Sequence, residues 1–232
     1  MKKDFDKTHR RAYYESSSTT GFVIHRNCVL EIPYMKIYGD MRSGNCYKIK
    51  LLCSLLGIQH EWLHVDILAG GTQTDKFLAK NPNGKIPLLE LDDGRYLSES
   101  NAILNYLAAG SLLLPQDRYK LAQAQQWQFF EQYSHEPYIA VARFIAKYLG
   151  LPENRREEYE QKQTGGHKAL AVMEQQLSVS PYLVGDSLSV SDISLYGYTH
   201  VAHEGGFDLS QYPAIIAWLE RIKRHPNYIS MV

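Results

Sequence analysis

The segment from Asn81 to Leu107, NPNGKIPLLELDDGRYLSESNAILNYL, constrains the fold more than any other part of the chain. It predicts a turn, then a strand that begins at Ile86-Pro87. A second turn at Asp92 to Gly94 leads into a second strand, and a helix opens at Ser98 to Ser100. We therefore expect a β-hairpin that is followed directly by a helix.

Two features of this segment suit the ends of a peptide ligand. Proline has no N–H, so Pro87 at the mouth of a strand leaves the backbone of Ile86 free to pair with an extended peptide. At the helix start, free N–H groups attract a carboxylate, while the side chain of Glu99 can take an ammonium group. This segment alone does not distinguish a ligand site from a simpler alternative, in which Ser98 or Ser100 is only the N-cap of the helix. An N-cap stabilises a helix by about 1 kcal/mol.

Composition limits the classes of protein that the chain can belong to. Its 232 residues, 44% of them hydrophobic, can bury a full core and predict two domains. No apolar run approaches the length of a membrane span or of a secretory signal, so we expect a cytoplasmic protein with no membrane partner. The 25 basic and 25 acidic residues balance, which argues against a surface that binds nucleic acid.

Cysteine and histidine usage predicts no metal site. The three cysteines, Cys28, Cys46 and Cys53, are too few for a disulfide scaffold, and their spacing is not that of a structural zinc site. His200 and His203 lie three residues apart without a further ligand nearby, so we interpret both as helix-surface residues.

Two regions precede the hairpin. Residues 1 to 34 are polar, rich in serine and threonine and without periodicity, and we interpret them as a flexible extension. From Met35 the pattern predicts the order β-α-β-α-β-β-α, an α/β domain over residues 35 to 110 with a thioredoxin-like arrangement. Its first helix has one buried face with the spacing i, i+3, i+4, i+7, formed by Ile49, Leu52, Cys53 and Leu56.

Residues 117 to 232 predict an all-α domain, because apolar stripes of helical period recur through them. Pro137 falls inside the first long helix and should bend or divide it near Glu136. Ser189 and Asp192 have the spacing of a reciprocal N-terminal cap.

From Met35 onward the chain resembles the cytosolic glutathione S-transferases, in particular bacterial theta-like and nu-like members. SGNCYKIKLL resembles their first loop and helix, NPNGKIPLLE their cis-proline turn and LSESNAILNYLA their glutathione-gripping helix. SVSD resembles the cap of their sixth helix, and YPAIIAWLERIKRHP the closing helix. The resemblance leaves only residues 1 to 34 unexplained.

The resemblance implies how glutathione is bound. The residue before the cis-proline Pro87, here Ile86, pairs its backbone with the cysteinyl part of glutathione, while Glu99 and Ser100 hold the γ-glutamyl end.

Three further residues match positions near the glycyl carboxylate of glutathione. Lys85 and Thr72 match positions that approach this carboxylate in theta-like members, with Gln73 as the alternative to Thr72. Glutathione is then a co-substrate, and no other cofactor is implied.

The loop before the first helix is expected to supply the catalytic group. Ser43 matches the hydroxyl residue of theta-like classes, and Ser43-Gly44-Asn45 resembles the Thr-Pro-Asn of the nu-like group, which makes Asn45 a second candidate. Lowering a thiol pKa from near 8.5 by about 2 units needs about 2.7 kcal/mol. A hydrogen bond to the anion gives about 1.5 to 3 kcal/mol and a helix end up to about 1, so Ser43 would suffice. The alternative that Ser43 or Asn45 only caps the helix stays open.

Other chemistry is less favoured at this loop. Ser43 to Cys46 has the frame of a C-x-x-C motif whose first cysteine is replaced by serine, which argues against disulfide exchange by the protein's own thiols. We interpret Cys46 as a small apolar core residue and Tyr38 as a weaker hydroxyl candidate.

The resemblance and the residues together predict a homodimeric glutathione transferase that acts in detoxification, with glutathione and a small hydrophobic electrophile as substrates. The dimer is implied by the resemblance alone. A glutathione-dependent disulfide reductase or peroxidase and a non-catalytic binding module remain as alternatives. The electrophile is expected between the loop Asp40 to Arg42 and the second domain, beside apolar side chains that are also typical of a core: Met41, Phe130, Tyr133 and Tyr138.

Overall fold

A computed structural model describes residues 35 to 231, so the predicted extension lies outside the described residues. The first part contains one mixed sheet with the strand order β2-β1-β3-β4. Strand β1 pairs parallel with β2 and antiparallel with β3, and β3 pairs antiparallel with β4. The strands are β1 (Lys36–Gly39), β2 (Glu61–His64), β3 (Leu88–Glu90) and β4 (Tyr96–Ser98).

Helices α1 (Gly44–Leu56), α2 (Asp75–Leu78) and α3 (Ser100–Leu107) complete the predicted order β-α-β-α-β-β-α. Helix α1 ends at Gly57, whose φ of 67° is the left-handed conformation that glycine adopts at a helix C-terminus. Helix α1 packs against α3, and its apolar stripe is buried at Ile49, Leu52 and Cys53.

The second part of the described chain is helical. It contains α4 (Arg118–Phe130), α5 (Glu136–Arg143), α6 (Arg156–Leu177), α7 (Val190–Thr199) and α8 (Pro213–Lys223), with short 3-10 turns between some of them. The thioredoxin-like fold followed by an all-α region is thus confirmed. No helix within residues 35–231 is both long and apolar enough to span a membrane.

Pro137 divides the first long helix where the sequence predicts. Helix α4 runs into a π-helical segment, Glu131–His135, and Pro137 occupies the first turn of α5. Proline has no N–H and its ring clashes with the carbonyl four residues earlier, so a regular α-helix cannot continue through it. A second π-helical segment, Phe144–Tyr148, follows α5.

Helix α7 packs against α1, and all the residues of α7 are buried. The two helices meet at glycines: a Cβ on Gly44 would lie 2.6 Å from the carbonyl oxygen of Gly197. One apolar cluster includes residues of both parts, so the thioredoxin-like and helical parts share a core.

His200 differs from its interpretation as a surface residue. It lies at the end of α7, where its ring stacks on Tyr196 at 4.7 Å and 3°, and also contacts the ring of Tyr47. Burial lowers the pKa of His200 to about 4. His203 is exposed, as the sequence predicts.

The predicted reciprocal cap at Ser189 and Asp192 fixes the start of α7. The buried Asp192 carboxylate accepts four hydrogen bonds. Oδ1 accepts from the Leu183 amide and the Trp218 indole, both at 2.9 Å, and Oδ2 accepts from the amide and hydroxyl of Ser189, both at 3.0 Å. The cap therefore also ties α7 to α8.

We expect Asp192→Asn to lower the free energy of unfolding by about 3 kcal/mol. The NH2 group of the new amide would replace one carboxylate oxygen and face two N–H or O–H donors in a buried site. Urea titration followed by circular dichroism measures the effect. The matched control is Asp186→Asn at an exposed position, which should be nearly neutral. Equal stability of the two variants would contradict the role given to Asp192.

Candidate active site

A polar cavity of 180 Å³ lies between the thioredoxin-like part and α5. Six residues predicted from the sequence line it together with three that were not predicted. The predicted ones are Asn45, Lys85, Ile86, Pro87, Glu99 and Ser100, and the others are Asn81, Gln132 and Glu136. The segment that forms the hairpin and the following helix thus lines the same cavity as the N-terminus of α1.

The loop before β3 forms one wall of this cavity. The Ile86-Pro87 peptide bond is cis, and the strand ladder begins only at Leu88, so the backbone of Ile86 lies outside the sheet. The loop is tightened by Asn81, whose Nδ2 donates to the carbonyl oxygen of Lys85 at 2.7 Å. The side chain of Lys85 remains exposed at the cavity edge.

The start of α3 forms a second wall. Glu99 occupies the N-cap position with φ 67° and ψ 113°, an unusual backbone conformation for a residue other than glycine. No side chain caps the helix there, so neither Ser98 nor Ser100 acts as its N-cap. The first amides of α3 and the exposed Glu99 carboxylate are therefore available to a ligand.

The two catalytic candidates lie in different places. Asn45 lines the polar cavity, and its Oδ1 accepts from Lys48 Nζ at 2.7 Å and from the Ser100 hydroxyl at 3.3 Å. Ser43 is the N-cap of α1, where its Oγ accepts from the Cys46 amide at 3.4 Å. The Ser43 side chain lines a neighbouring cleft instead.

That neighbouring cleft is small, about 70 Å³, and mixed in polarity. Helix α5 and the segment after it present one face to it, because Glu136, Ala140, Arg143 and Phe144 follow a helical spacing that continues from the polar cavity into the cleft. The cleft is lined by Asp40, Arg42, Ser43, Ile67, Leu68, Ala140, Arg143, Phe144, Tyr148 and Tyr198.

The loop that borders the cleft is fixed by the helical part. The Arg42 carbonyl accepts from Arg143 Nη1 at 2.9 Å and from the Tyr148 hydroxyl at 3.2 Å. Burial would raise the pKa of Asp40, but hydrogen bonds from the side chain and amide of Arg42 outweigh it and lower that pKa. Asp40 is therefore a charged, structural partner of Arg42.

The four side chains predicted to contact the electrophile are placed elsewhere. Met41 lies against Lys50 Nζ, at 3.5 Å from its sulfur, and Phe130 packs edge-on against Trp127. Tyr133 is 80% exposed on another face. The Tyr138 ring fills the space that a Cβ on Gly165 would need. Tyr133 lies in the π-helical segment Glu131–His135, and Tyr138 follows it in α5.

Thr72 and Gln73 also lie outside the cavity lining. Gln73 Nε2 donates to Thr72 Oγ1 at 3.2 Å and to the carbonyl oxygen of Gly84 at 3.3 Å. Through these hydrogen bonds, Thr72 and Gln73 support the loop that carries Lys85.

The side chains considered for other chemistry are not nucleophiles at this site. Burial raises the pKa of the Cys46 thiol to about 12, and burial raises that of Cys53 to the same value. The Tyr38 hydroxyl donates to Glu90 at 2.5 Å, away from the cavity. Among the residues that the structure describes, no three His, Cys, Asp or Glu side chains are grouped to hold a metal ion.

Glu136 is the most informative residue that the sequence did not single out. Burial, followed by the nearby charge of Glu131, raises the pKa of its carboxyl group. Lys48, a hydrogen bond from the Asn45 side chain and the charge of Lys85 act in the opposite direction. An acidic residue directly before Pro137 was the only signal for it in the sequence.

Comparisons with known proteins agree with this architecture. The family model of the glutathione S-transferase N-terminal domain matches residues 42–109, and that of the C-terminal domain matches residues 127–226. The chain is 65% identical to a glutathione S-transferase from Pseudomonas fluorescens Pf-5 of known structure, with a TM-score of 0.85 over 85% of this chain and 98% of that one. This chain belongs to the glutathione S-transferase family.

Two further relatives show the breadth of the similarity. The disulfide-bond oxidoreductase YfcG of Escherichia coli K12 is 30% identical over 79% of this chain and 88% of that protein. The glutathione transferase URE2P6 of Phanerochaete chrysosporium, solved with oxidized glutathione, is 24% identical, with a TM-score of 0.76 over 84% of this chain and 93% of that one. The latter supports the fold alone.

Proposed function

We propose that this protein binds glutathione in the polar cavity and that the glutathione thiolate attacks a hydrophobic electrophile held in the neighbouring cleft, forming a new sulfur–carbon bond as the leaving group departs. The observation that carries the proposal is the convergence of Ile86, Glu99, Ser100 and Asn45 on one cavity. The backbone of Ile86 would pair with the cysteinyl part of glutathione. The γ-glutamyl end would lie at Glu99 and the start of α3, with Lys85 near the glycyl carboxylate.

Asn45 is the better candidate for stabilising the thiolate. It shares the cavity with Ile86, and its Oδ1 already accepts two hydrogen bonds, which leaves the donor Nδ2 for the ligand. The Ser43 hydroxyl serves the α1 amide and faces the other cleft. A hydrogen bond to an anion supplies about 1.5 to 3 kcal/mol, comparable to the stabilisation that thiol ionisation needs.

We expect Asn45→Ala to raise the thiol pKa of bound glutathione and to lower kcat/KM for an aryl chloride at neutral pH by about 10- to 100-fold. Ultraviolet absorbance of the thiolate, followed against pH, measures the first effect. The matched comparison is Ser43→Ala, which should cost about 1 kcal/mol of stability as a lost cap while largely keeping the thiol pKa. The reverse pattern would assign thiol activation to Ser43.

The neighbouring cleft would hold the electrophile. Its apolar wall includes Ala140, Phe144 and Tyr148, and the last two rings stack at 5.8 Å. A flat, apolar acceptor would lie against this wall, close to the N-terminus of α1. Conjugation of such compounds would serve detoxification.

We expect Phe144→Ala to raise KM for an aryl chloride about tenfold, because apolar contact worth about 1.5 kcal/mol would be lost. The glutathione Kd from calorimetry should stay unchanged, since Phe144 does not line the polar cavity. Val172→Ala, on the partly exposed face of α6, is the control. A weaker glutathione Kd with unchanged KM would contradict this placement of the electrophile.

A disulfide reductase is the second candidate, favoured by the similarity to YfcG. The same thiolate, held by Asn45, would attack a disulfide in place of a carbon electrophile. Cys46 is completely buried, and burial raises the pKa of its thiol, so glutathione would have to supply both thiols. Turnover of an aryl chloride and of a small disulfide by the same preparation, at equal glutathione concentration, distinguishes the two reactions.

We also propose that the protein is a homodimer through the face formed by α3 and α4. A broad depression of 580 Å³ lies there, beside Phe129 and Tyr133, which are 65% and 80% exposed. Large exposed aromatic side chains next to a concave surface are typical of interfaces. The depression is lined by Glu99, Asn101, Ala102, Asn105, Gln125, Gln128, Phe129, Gln132 and Tyr133.

We expect Phe129→Asp to convert the dimer to monomers, because a charge would be buried at the interface without a partner. Light scattering coupled to size-exclusion chromatography measures the mass. Val179→Asp provides the matched control, since Val179 is 82% exposed on the turn after α6. A monomeric wild-type protein, or a Phe129→Asp variant that stays dimeric, would refute this interface.

A further inference from the structure

Lys48 on α1 is completely buried, which is rare for lysine unless its charge is matched. Its ammonium group has three N–H donors and three acceptors around it. The acceptors are Asn45 Oδ1 at 2.7 Å, Glu131 Oε1 at 2.7 Å and Ser100 Oγ at 3.4 Å. Two of these acceptors, Asn45 and Ser100, also line the polar cavity.

The partner carboxylate is equally enclosed. Glu131, with no exposed side-chain surface, accepts from Asn101 Nδ2 at 3.1 Å and from Gln132 Nε2 at 2.7 Å through Oε2. Asn101 Oδ1 in turn accepts from the Ser194 hydroxyl at 2.7 Å. The network therefore joins α3 and α7 to the π-helical segment after α4.

Stability alone does not explain such a pair. Removing two charges from water costs several kcal/mol per ion, and buried pairs can often be replaced by apolar residues without loss of stability. An apolar pair could not orient a polar neighbour by hydrogen bonding. Lys48 has such a neighbour, Asn45.

The contacts of Asn45 fix which half of its amide faces the ligand. Its Oδ1 accepts from the Lys48 ammonium and the Ser100 hydroxyl, and Asn45 shares the cavity lining with Glu136. In the flipped amide, the NH2 group would face the Lys48 ammonium, donor against donor. The unflipped amide presents donors to the cavity, which is the orientation that a thiolate requires.

We propose that Lys48 is a positioning residue, which holds the Asn45 amide with Nδ2 toward the sulfur of bound glutathione. This inference rests on the proposed role of Asn45. Lys48 acts through Asn45 because Glu131 compensates its charge. The other titratable groups around the site are His135 and Glu136 from the helical part, with Lys85 and Glu99 at the cavity.

The test uses Lys48→Met combined with Glu131→Gln. Lys48→Met alone would leave a buried carboxylate without a partner and could fail to fold. The double variant removes both charges and keeps an acceptor for Asn101. We expect cooperative thermal unfolding and a glutathione Kd within about threefold of wild type. We also expect a thiol pKa of bound glutathione raised by about 1 unit, which lowers kcat/KM at pH 6.5 about tenfold.

Three further measurements separate positioning from general damage. The difference in kcat/KM between the double variant and the wild type should disappear as the pH rises above the thiol pKa, because glutathione is then ionised in both proteins. Lys48→Arg, which keeps a charged donor, should retain a lower thiol pKa than the double variant. The exposed pair on α8 supplies the control, because Lys223→Met should change none of these quantities.

A double-mutant cycle with Asn45→Ala gives the decisive result. If Lys48 acts through Asn45, the Lys48 and Glu131 substitutions should raise the thiol pKa no further in the Asn45→Ala background. Additive effects, or an unchanged thiol pKa in the double variant, would overturn the proposal for Lys48 while leaving Asn45 in place. An Asn45→Ala variant with an unchanged thiol pKa would overturn both.

A measurement on the wild-type protein applies if the double variant does not unfold cooperatively. Nuclear Overhauser contacts from the Asn45 side-chain NH2 protons to the cysteinyl protons of bound glutathione are expected. Contacts from those NH2 protons to the Lys48 side-chain end, without contacts to glutathione, would mean a flipped amide and would overturn the proposal.

Discussion

The close packing of α1 against α7 is the contact on which the site geometry depends. Gly44 and Gly197 let the backbones approach until a Cβ on either would meet the other helix or the Lys48 side chain. Gly44 is the first residue of α1, so this contact fixes the helix end that carries both Ser43 and Asn45. Helix α7 is in turn held by the four hydrogen bonds of Asp192.

Under the proposal for Lys48, the buried Lys48–Glu131 pair serves the site by orienting a neighbour, since buried ion pairs often add little net stability. The stabilisation required for the thiolate is small, about 2.7 kcal/mol for a pKa shift of 2 units. One well-oriented donor can supply it, but a misoriented amide would place its oxygen against the sulfur and oppose ionisation. The orientation of the amide therefore decides whether this contact favours or opposes ionisation, and a rigid buried network is a physical means of fixing it.

Much of the fold could be predicted from local signals. The hairpin, the helix after it and the division at Pro137 depend on residues whose backbone preferences are strong and local. The choice between Ser43 and Asn45 could not be made in this way. Ser43 is the N-cap of α1 with an extended backbone and Asn45 lies inside the helix, so the cavity that each side chain reaches depends on what packs around the start of α1.

The sequence did not indicate the residues that the helical part contributes to the cavity wall, and the local helix geometry explains why. Gln132 lies in a π-helical segment, and Glu136 follows at its end. Such segments insert a residue into the helical repeat and rotate the faces that follow, which a regular 3.6-residue period does not anticipate. Tyr133 is 80% exposed, and the ring of Tyr138 packs at Gly165, so neither residue lines the cleft beside Ser43.

Glu136 completes the physical account of the thiol site. A second negative charge beside a thiolate would oppose its formation, but burial raises the pKa of Glu136 and favours its neutral form. The Asn45 NH2 group has two donors, so a hydrogen bond to Glu136 would still leave one for the sulfur. Asn45 would then be held by Lys48 from its own helix, by Ser100 from α3 and by Glu136 from α5. Under this proposal, the donor offered to glutathione would depend on the helical part as much as on the thioredoxin-like part.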